Sequence, residues 1–234
     1  MISAKVMQAI SDHAKRDYPR ESCGVIIIVK GRKKYIPCRN IAPNGNDFAI
    51  HPEDYALAED AGKVAMIVHS HPNTAPKPSP ADLIGCERSN LPWLIINWPT
   101  GLTYEFEPTG YKAPLLGRVF QHGVLDCYTF IRDYYDQNLN ITLPDFVRGD
   151  NWWLGEDDLY LDNFAKAGFS RVDELQEHDV ILMTVASSKP NHGAVYVGDS
   201  RIEHHQVNRL SSRDVFGGWY QKITTDYLRH NRFL

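Results

Sequence analysis

The segment Val64-Ala65-Met66-Ile67-Val68-His69-Ser70-His71-Pro72 is the most informative part of the first half of the chain. Its apolar run, Val64–Val68, predicts a buried strand that ends at His69. Residues 72–80 contain four prolines and cannot form regular structure. A helix is then expected from Asp82 onward. The order of strand, loop and helix indicates mixed α and β structure.

Further elements are expected on both sides of this stretch. The apolar residues Ile2, Val6, Met7, Ile10 and Ala14 share one face of an N-terminal helix that ends at Pro19. The other expected elements of this half are strands at Val25–Val29 and Tyr35–Arg39, a helix at Pro52–Ala61, and a hairpin of Trp93–Trp98 with Leu102–Phe106. Those of the later half are a helix near Asp126–Tyr135, strands near Val180–Val185, Gly193–Val197 and Arg201–His205, and a surface helix end at Arg229–Arg232.

The segment Glu107–Pro114 separates the two halves, because it carries two prolines and a glycine between apolar segments. The sequence therefore predicts an α+β protein with two domains. The first covers residues 1–107, residues 108–114 form a linker, and the second covers residues 115–234.

Composition excludes several classes of protein. The 234 residues are 43% hydrophobic and 23% charged, which is ordinary for a globular protein and excludes wholesale disorder. The net charge of −4 and the absence of a basic run give no reason to expect nucleic-acid binding. No run approaches the roughly 20 apolar residues of a membrane helix, so membrane insertion is not expected. Lys5 and Asp12 interrupt any secretory signal, so synthesis in a cytoplasm is expected.

The histidines at the end of the Val64–Val68 strand suggest a metal site. His69 and His71 point to the same side of an extended strand, so both imidazoles can face one metal ion. Asp82 can fold back across the proline-rich loop, and two histidines, one aspartate and a water molecule form an open zinc site typical of a hydrolase. Glu21, just before the first strand, is a candidate base, and Ser79 can donate to a developing oxyanion. The alternative is that an isolated His-x-His pair has no role.

The whole pattern is more specific than its parts. His69-x-His71-Pro72 is followed after six residues by Ser79-x-x-Asp82, and Glu21-x-x-Gly24 lies upstream. This pattern resembles the Mov34/MPN/JAB (JAMM) metalloproteases over about residues 1–107. The resemblance implies that the two histidines and the aspartate bind zinc, that the glutamate is the general acid/base, and that the serine assists.

A second group of residues suggests a cysteine nucleophile. Cys127 opens a predicted helix, whose dipole is expected to lower the pKa of the thiol. His192 begins a later strand, and a hairpin would place His204 beside it, where it can orient the imidazole. His205 competes for this third role, although spacing from His192 favours His204. The alternative is that Cys127 is a small buried hydrophobic residue.

Cysteine, then histidine on a strand, then a polar residue twelve positions on resembles the NlpC/P60 cysteine peptidases. The resemblance implies a triad of Cys127, His192 and His204 and cleavage of D-γ-glutamyl to diamino-acid bonds in wall peptides. The sequence departs from the family at Tyr128 and Thr129, where small residues are usual. Trp152 and Trp153 are either a carbohydrate or partner surface or a packed loop.

A JAMM-like domain fused to an NlpC/P60-like domain resembles the tail assembly proteins of lambda-type phages over nearly the whole chain. This implies Zn²⁺ as cofactor, other tail-tip proteins and peptidoglycan peptides as partners, and delivery to the cell-wall space in a virion. The rival interpretation is an assembly factor that processes or plugs another tail protein. A deubiquitinase-like role shares only the first domain, and the second argues against it.

Overall fold

The computed structural model describes residues 2–149 and 151–234, and the chain divides into two compact units. The first unit ends at Lys112 and the second begins at Ala113. Each unit contains a β-sheet with packed helices, so the predicted α+β class with two domains is confirmed. Within the described residues, every helix is too short or too polar to cross a membrane.

Among its described residues, the first unit contains one five-stranded sheet and three helices. The elements are α1 (Ala4–Asp17), β1 (Cys23–Val29), β2 (Arg32–Cys38), α2 (Pro52–Ala61), β3 (Lys63–Pro72), α3 (Pro80–Ser89), β4 (Trp93–Trp98) and β5 (Thr103–Phe106). The sheet has the order β2-β1-β3-β4-β5. Strands β3 and β4 pair in parallel, the other neighbouring strands pair antiparallel, and α3 connects β3 to β4.

Helices cover both faces of this sheet. On one face, Ile10 of α1 packs against Met66 and Val68 of β3. On the other face, Ala58 of α2 and Cys86 of α3 pack near Ile67. Since side chains alternate along a strand, His69 and His71 lie on the Ile67 face, the face that α3 covers. Helix α3, which connects β3 to β4 and helps to bury this face, therefore also carries residues toward the two histidines.

In the described part of the second unit, the elements are α4 (Cys127–Leu139), a 3-10 helix at Trp152–Leu154, α5 (Leu159–Asn163), β6 (Phe169–Val172), β7 (Val180–Met183), β8 (His192–Tyr196), β9 (Arg201–His204), β10 (Ser212–Val215), α6 (Trp219–Ile223), β11 (Thr224–His230) and a 3-10 helix at Asn231–Phe233. These strands form a six-stranded antiparallel sheet of order β10-β9-β8-β7-β11-β6.

Helix α4 packs across the centre of this sheet. Phe130 and Ile131 of α4 belong to one buried cluster with Leu182 of β7 and Val195 of β8. The opposite face is buried as well, by a cluster that includes Ala194 of β8. Because β8 is buried on both faces, the residues at its start are held rigidly against the start of α4.

The predicted surface helix end at Arg229–Arg232 is confirmed only for Asn231 and Arg232, which lie in an exposed 3-10 helix, and is wrong for Arg229 and His230. Arg229 lies in β11, and its Nε and Nη2 donate to Asp179 Oδ1 and Oδ2 at 2.9 and 2.8 Å. The Arg229 residue is 9% exposed and Asp179 is 1% exposed. These two hydrogen bonds to Asp179 allow Arg229 to be buried within the sheet. The sequence near Arg229 does not show this partner, so the charged residues there suggested an exposed segment.

Candidate active sites

The end of β3 and the start of α3 bring together the three predicted metal ligands. His69 Nε2 lies 3.1 Å from His71 Nε2 and 3.3 Å from Asp82 Oδ1. His71 Nε2 lies 3.6 Å from Asp82 Oδ2. His69 is fully buried, while His71 is 12% exposed at its side chain. One side of the cluster is thus closed by protein and the other opens outward.

The N-terminal cap of α3 fixes Asp82. Asp82 N donates to Ser79 Oγ at 3.1 Å, and Ser79 N donates to Asp82 Oδ2 at 2.7 Å, so the two residues cap each other. Burial raises the pKa of Asp82, but hydrogen bonds from His69 and His71 outweigh it and hold the pKa well below its usual range. Asp82 is therefore a carboxylate, as a metal ligand must be.

The spacing of these atoms fits a tetrahedral zinc ion. Zinc–nitrogen and zinc–oxygen distances of about 2.0–2.1 Å place neighbouring ligand atoms about 3.3 Å apart. The ligand atoms of His69, His71 and Asp82 are separated by 3.1 to 3.6 Å. His71 Nδ1 lies 3.1 Å from the Ala75 carbonyl oxygen, which requires a proton on Nδ1, so Nε2 is the nitrogen that would bind a metal ion.

Strand β1 brings Glu21 to the same cluster. Cys23 pairs with His69 in the antiparallel β1–β3 ladder, and Ser70 N donates to the Ser22 carbonyl at 3.0 Å. Continuing this register places Glu21 opposite His71. The Glu21 residue is 7% exposed, and its burial raises the pKa of the carboxyl to about 8. A carboxyl that holds its proton near neutral pH suits a general acid/base.

Cys127 is the first residue of α4, as predicted, but its pKa moves in the opposite direction from the prediction. Burial, and next the charge of Asp126, raise the pKa of the thiol to about 11. Asp126 caps the helix by accepting from Thr129 N at 2.9 Å. The helix dipole that favours a thiolate is therefore outweighed by desolvation and by the capping carboxylate.

The Cys127 thiol contacts two other chain segments. Its Sγ lies 3.2 Å from Tyr160 Oη and 4.0 Å from the Asn191 carbonyl oxygen. The Gly193 N–H interacts with it as well. Cys127 is thus placed against the residues on either side of His192. Among the hydrogen bonds of residues 2–149 and 151–234, none joins Cys127 Sγ to the His192 ring.

The predicted histidine pair is formed. His192 Nε2 lies 2.8 Å from His204 Nδ1, and burial lowers the pKa of His192 to about 3, so its ring is neutral at neutral pH. His205 faces elsewhere and packs edge-on against Phe120 at 5.1 Å. Spacing alone had favoured His204 over His205, and His204 is the residue whose ring contacts His192.

Two neighbours of this site were missed from the sequence. Asp214 Oδ2 lies 3.1 Å from His204 Nε2, and Tyr160 contacts the thiol from α5. Neither residue belongs to a motif, because β10 and α5 are too short, at four and five residues, to give a clear periodic pattern. The ring centroid of Trp152 lies 5.9 Å from that of Trp153 and 6.1 Å from that of Tyr160. The tryptophan pair therefore extends the aromatic surface that Tyr160 forms beside the thiol.

Comparison with known proteins gives one family match in the N-terminal half of the chain and another in the C-terminal half. A model of prokaryotic homologs of the JAB domain matches residues 3–107, and the NlpC/P60 family model matches residues 117–229. The tail tip assembly protein K of Escherichia phage N15 is 37% identical, over 97% of this chain and 94% of that protein. The protein of the same name in Escherichia phage lambda is 40% identical, over 76% and 88%. The CysO-cysteine peptidase of Mycobacterium tuberculosis is 30% identical, over 36% and 62%.

Proposed function

Because the chain belongs to the tail tip assembly protein K family, we propose that it is a tail-tip peptidase with two separate active sites. Residues 1–107 form a zinc metallopeptidase domain, residues 108–114 a linker, and residues 115–234 a cysteine peptidase domain. The chain is made in the host cytoplasm, joins other tail-tip proteins, and acts on peptidoglycan stem peptides during DNA entry. The observation that carries the proposal is that each unit brings histidines that are not adjacent in the sequence into one polar cluster, with Asp82 in the first unit.

In the first domain, His69, His71 and Asp82 would hold Zn²⁺, which supplies a Lewis acid and lowers the pKa of bound water. Glu21 would take and return a proton at this site, since its raised pKa keeps both protonation states accessible near neutral pH. The Ser79 oxygen already accepts from Asp82 N, so its own O–H remains to donate to a developing oxyanion.

In the second domain, Cys127 Sγ would attack a peptide carbonyl carbon while His192 takes the thiol proton. The carbon–nitrogen bond then breaks, His192 returns the proton to the leaving amine, and a thioester remains. Water hydrolyses the thioester with His192 again as base. A thiol and an imidazole suit acyl transfer, whereas glycosidic cleavage requires paired carboxylates. The substrate is therefore the peptide rather than the sugar chain of the wall.

Digestion of purified peptidoglycan tests the second site. New free amino groups on the diamino acid, identified by mass spectrometry, should appear with the wild-type chain and disappear with Cys127→Ala. Cys38→Ala is the matched control, because Cys38 is a buried cysteine of the first unit and its loss should leave cleavage intact. New reducing sugar ends, or cleavage that survives Cys127→Ala, would reject the proposal.

Zinc content tests the first site. The purified chain should carry about one equivalent of zinc, and Asp82→Ala should lose most of it. Asp54→Ala is the matched control, since Asp54 lies in a second carboxylate–histidine cluster whose charge Arg39 already neutralises at 2.7 Å. Glu21→Gln should keep the metal but stop hydrolysis. Full zinc retention by Asp82→Ala would refute the ligand assignment.

The second candidate function is assembly itself, and the names of the two phage relatives favour it. In that case one site cleaves, or a domain plugs, another tail protein. The two functions differ in timing and substrate: an assembly factor is found only on tail intermediates and cleaves a tail protein, whereas an entry enzyme remains in mature particles. Mass spectrometry of purified virions, together with digestion of tail intermediates by each site variant, separates them.

A further inference from the structure

The hydrogen bonds around His192 continue beyond the predicted third residue. His192 Nε2 lies 2.8 Å from His204 Nδ1, and His204 Nε2 lies 3.1 Å from Asp214 Oδ2. Tyr220 Oη donates to the same Asp214 oxygen at 2.7 Å and lies 3.4 Å from His204 Nε2. His192, His204, Asp214 and Tyr220 thus form a continuous row, which we call the imidazole row.

Strand register explains why Asp214 reaches this row. In the antiparallel pairing of β9 with β10, Ser212 lies opposite His204 and Asp214 lies opposite Ile202. Asp214 therefore shares a face with His204 and reaches it diagonally. The alternating residue, Arg213, faces the other side and pairs there with Glu203 at 2.6 Å.

The chemistry of the row allows only one distribution of protons. The carboxylate of Asp214 can only accept, so the proton of neutral His204 must lie on Nε2. His204 Nδ1 is then bare and accepts from His192 Nε2–H. His192 Nδ1 is left without a proton, in the form that can accept one from a thiol.

The charge on Asp214 is maintained by its neighbours. Burial raises its pKa, but hydrogen bonds from Tyr220 and His204 outweigh burial and lower the pKa below its ordinary value. Arg209 also interacts electrostatically with His204, and its charge disfavours protonation of the ring and so lowers its pKa. At neutral pH the row therefore consists of a carboxylate and two neutral imidazoles.

We propose that Asp214 is a positioning residue that fixes the tautomers of His204 and His192, so that His192 Nδ1 is the base for Cys127. The proposal rests on the proposed acyl-transfer role of Cys127 and His192, and it adds a residue that touches neither substrate nor thiol. No proton moves along the row during the reaction. Asp214 stays ionised and favours the imidazolium that forms on His192.

Removing Asp214 has a specific consequence because Tyr220 is already close to His204. In Asp214→Ala the Tyr220 hydroxyl has lost its acceptor and donates to His204 Nε2 instead. The proton of His204 then moves to Nδ1, His192 Nε2 must become bare, and its proton blocks Nδ1. Asp214→Ala should therefore reduce peptide turnover about tenfold to a hundredfold, the usual effect of a supporting hydrogen-bond partner.

The double variant Asp214→Ala/Tyr220→Phe provides the decisive comparison. Without the Tyr220 hydroxyl, nothing holds His204 in the wrong tautomer, so the double variant should regain part of the turnover lost in Asp214→Ala. A purely structural role predicts the reverse, because two deletions in one packed region remove more contacts than one. Glu203→Gln is the matched control, since it neutralises a carboxylate next to His204 on the opposite face and should leave turnover unchanged.

The tautomers can be measured without any substrate. Long-range proton–nitrogen NMR of histidine-labelled full-length chain should show His204 protonated at Nε2 in the wild type and at Nδ1 in Asp214→Ala, with His204 assigned by its loss in His204→Gln. Alkylation of Cys127 by iodoacetamide should slow in parallel. If Asp214→Ala shows both effects while the wild-type chain cleaves no wall peptide, the proposed substrate is wrong but the inference about Asp214 is supported. Unchanged tautomers in Asp214→Ala, or a double variant slower than Asp214→Ala, overturns it.

Discussion

Replacing Asp126 with asparagine should destabilise the start of α4, where Cys127 lies. The Asp126 carboxylate accepts from Arg148 Nε at 2.6 Å and Arg148 Nη2 at 3.1 Å. It also accepts from Thr129 N at 2.9 Å and Gly123 N at 2.8 Å. Asparagine keeps an oxygen for the Thr129 N–H, but it leaves the Arg148 cation without its buried partner.

The size of the effect follows from burial. The side chains of Asp126 and Arg148 are 2% and 8% exposed, and removing one partner of a buried pair costs about 3–5 kcal/mol. Arg148 Nη1 keeps Asp145 at 2.9 Å and the Phe146 carbonyl at 2.7 Å, so we expect about 3 kcal/mol, the lower end of that range. Asp145→Asn is the matched control, since this partner of the same guanidinium is 42% exposed and should contribute at most about 1 kcal/mol.

Hydrogen exchange of the α4 amides measures this loss locally. Burial raises the pKa of Asp126, but the charge and hydrogen bonds of Arg148 outweigh it and lower the pKa below its ordinary value. The stabilisation is thus present above the unfolded-chain pKa of about 4 and is lost as the pH falls through the folded value. Wild-type α4 should lose protection on acidification below about pH 4 more than Asp126→Asn does. Equal protection in Asp126→Asn and Asp145→Asn at pH 7 would refute the reasoning.

Three further predictions concern the Cys127 thiol, the predicted metal site of the first unit, and the buried pair of Arg229 and Asp179 in the second unit. Replacing Tyr160 with phenylalanine should slow iodoacetamide alkylation of Cys127 at fixed pH about tenfold, because the hydroxyl at 3.2 Å lowers the pKa of the thiol; equal rates would contradict this. A chelator should stop hydrolysis by the first domain and leave the alkylation rate of Cys127 unchanged, because all the predicted ligands lie in the first unit; a parallel loss of both would require a shared site. Replacing Arg229 with methionine should cost about 3–5 kcal/mol in the free energy of unfolding of the second unit, since Asp179 is left as a buried charge; a denaturant titration that shows less than about 1 kcal/mol would refute it.

The cluster of the first unit was predictable because its geometry is local. Alternation along a strand places His69 and His71 on one side, and the loop to α3 is short enough to return Asp82 to them. The position of Glu21 required one further assumption, that β1 lies beside β3. The β1–β3 register satisfies it, with Cys23 opposite His69.

The pKa of Cys127 was predicted with the wrong sign, and the reason is physical. The sequence reveals a helix start, and therefore the favourable dipole, but it does not reveal how deeply the thiol is buried. The sequence does show Asp126 just before Cys127, but an aspartate that caps a helix indicates only a more stable helix start. In the folded chain the carboxylate is adjacent to the thiol, and together with burial it raises the pKa to about 11.

Asp214 shows where inference from the sequence stops. The strand Ser212–Val215 contains a single apolar residue and lies at the edge of its sheet, so hydrophobic alternation gives no sign of it. Its register is fixed instead by the pairing with β9, and a shift of one residue would turn Asp214 away from His204 and bring Arg213 toward it. A cation at that place would donate to His204 Nε2 and impose the opposite tautomer. The proposed role of His192 as the base therefore depends on a strand register that no local pattern encodes.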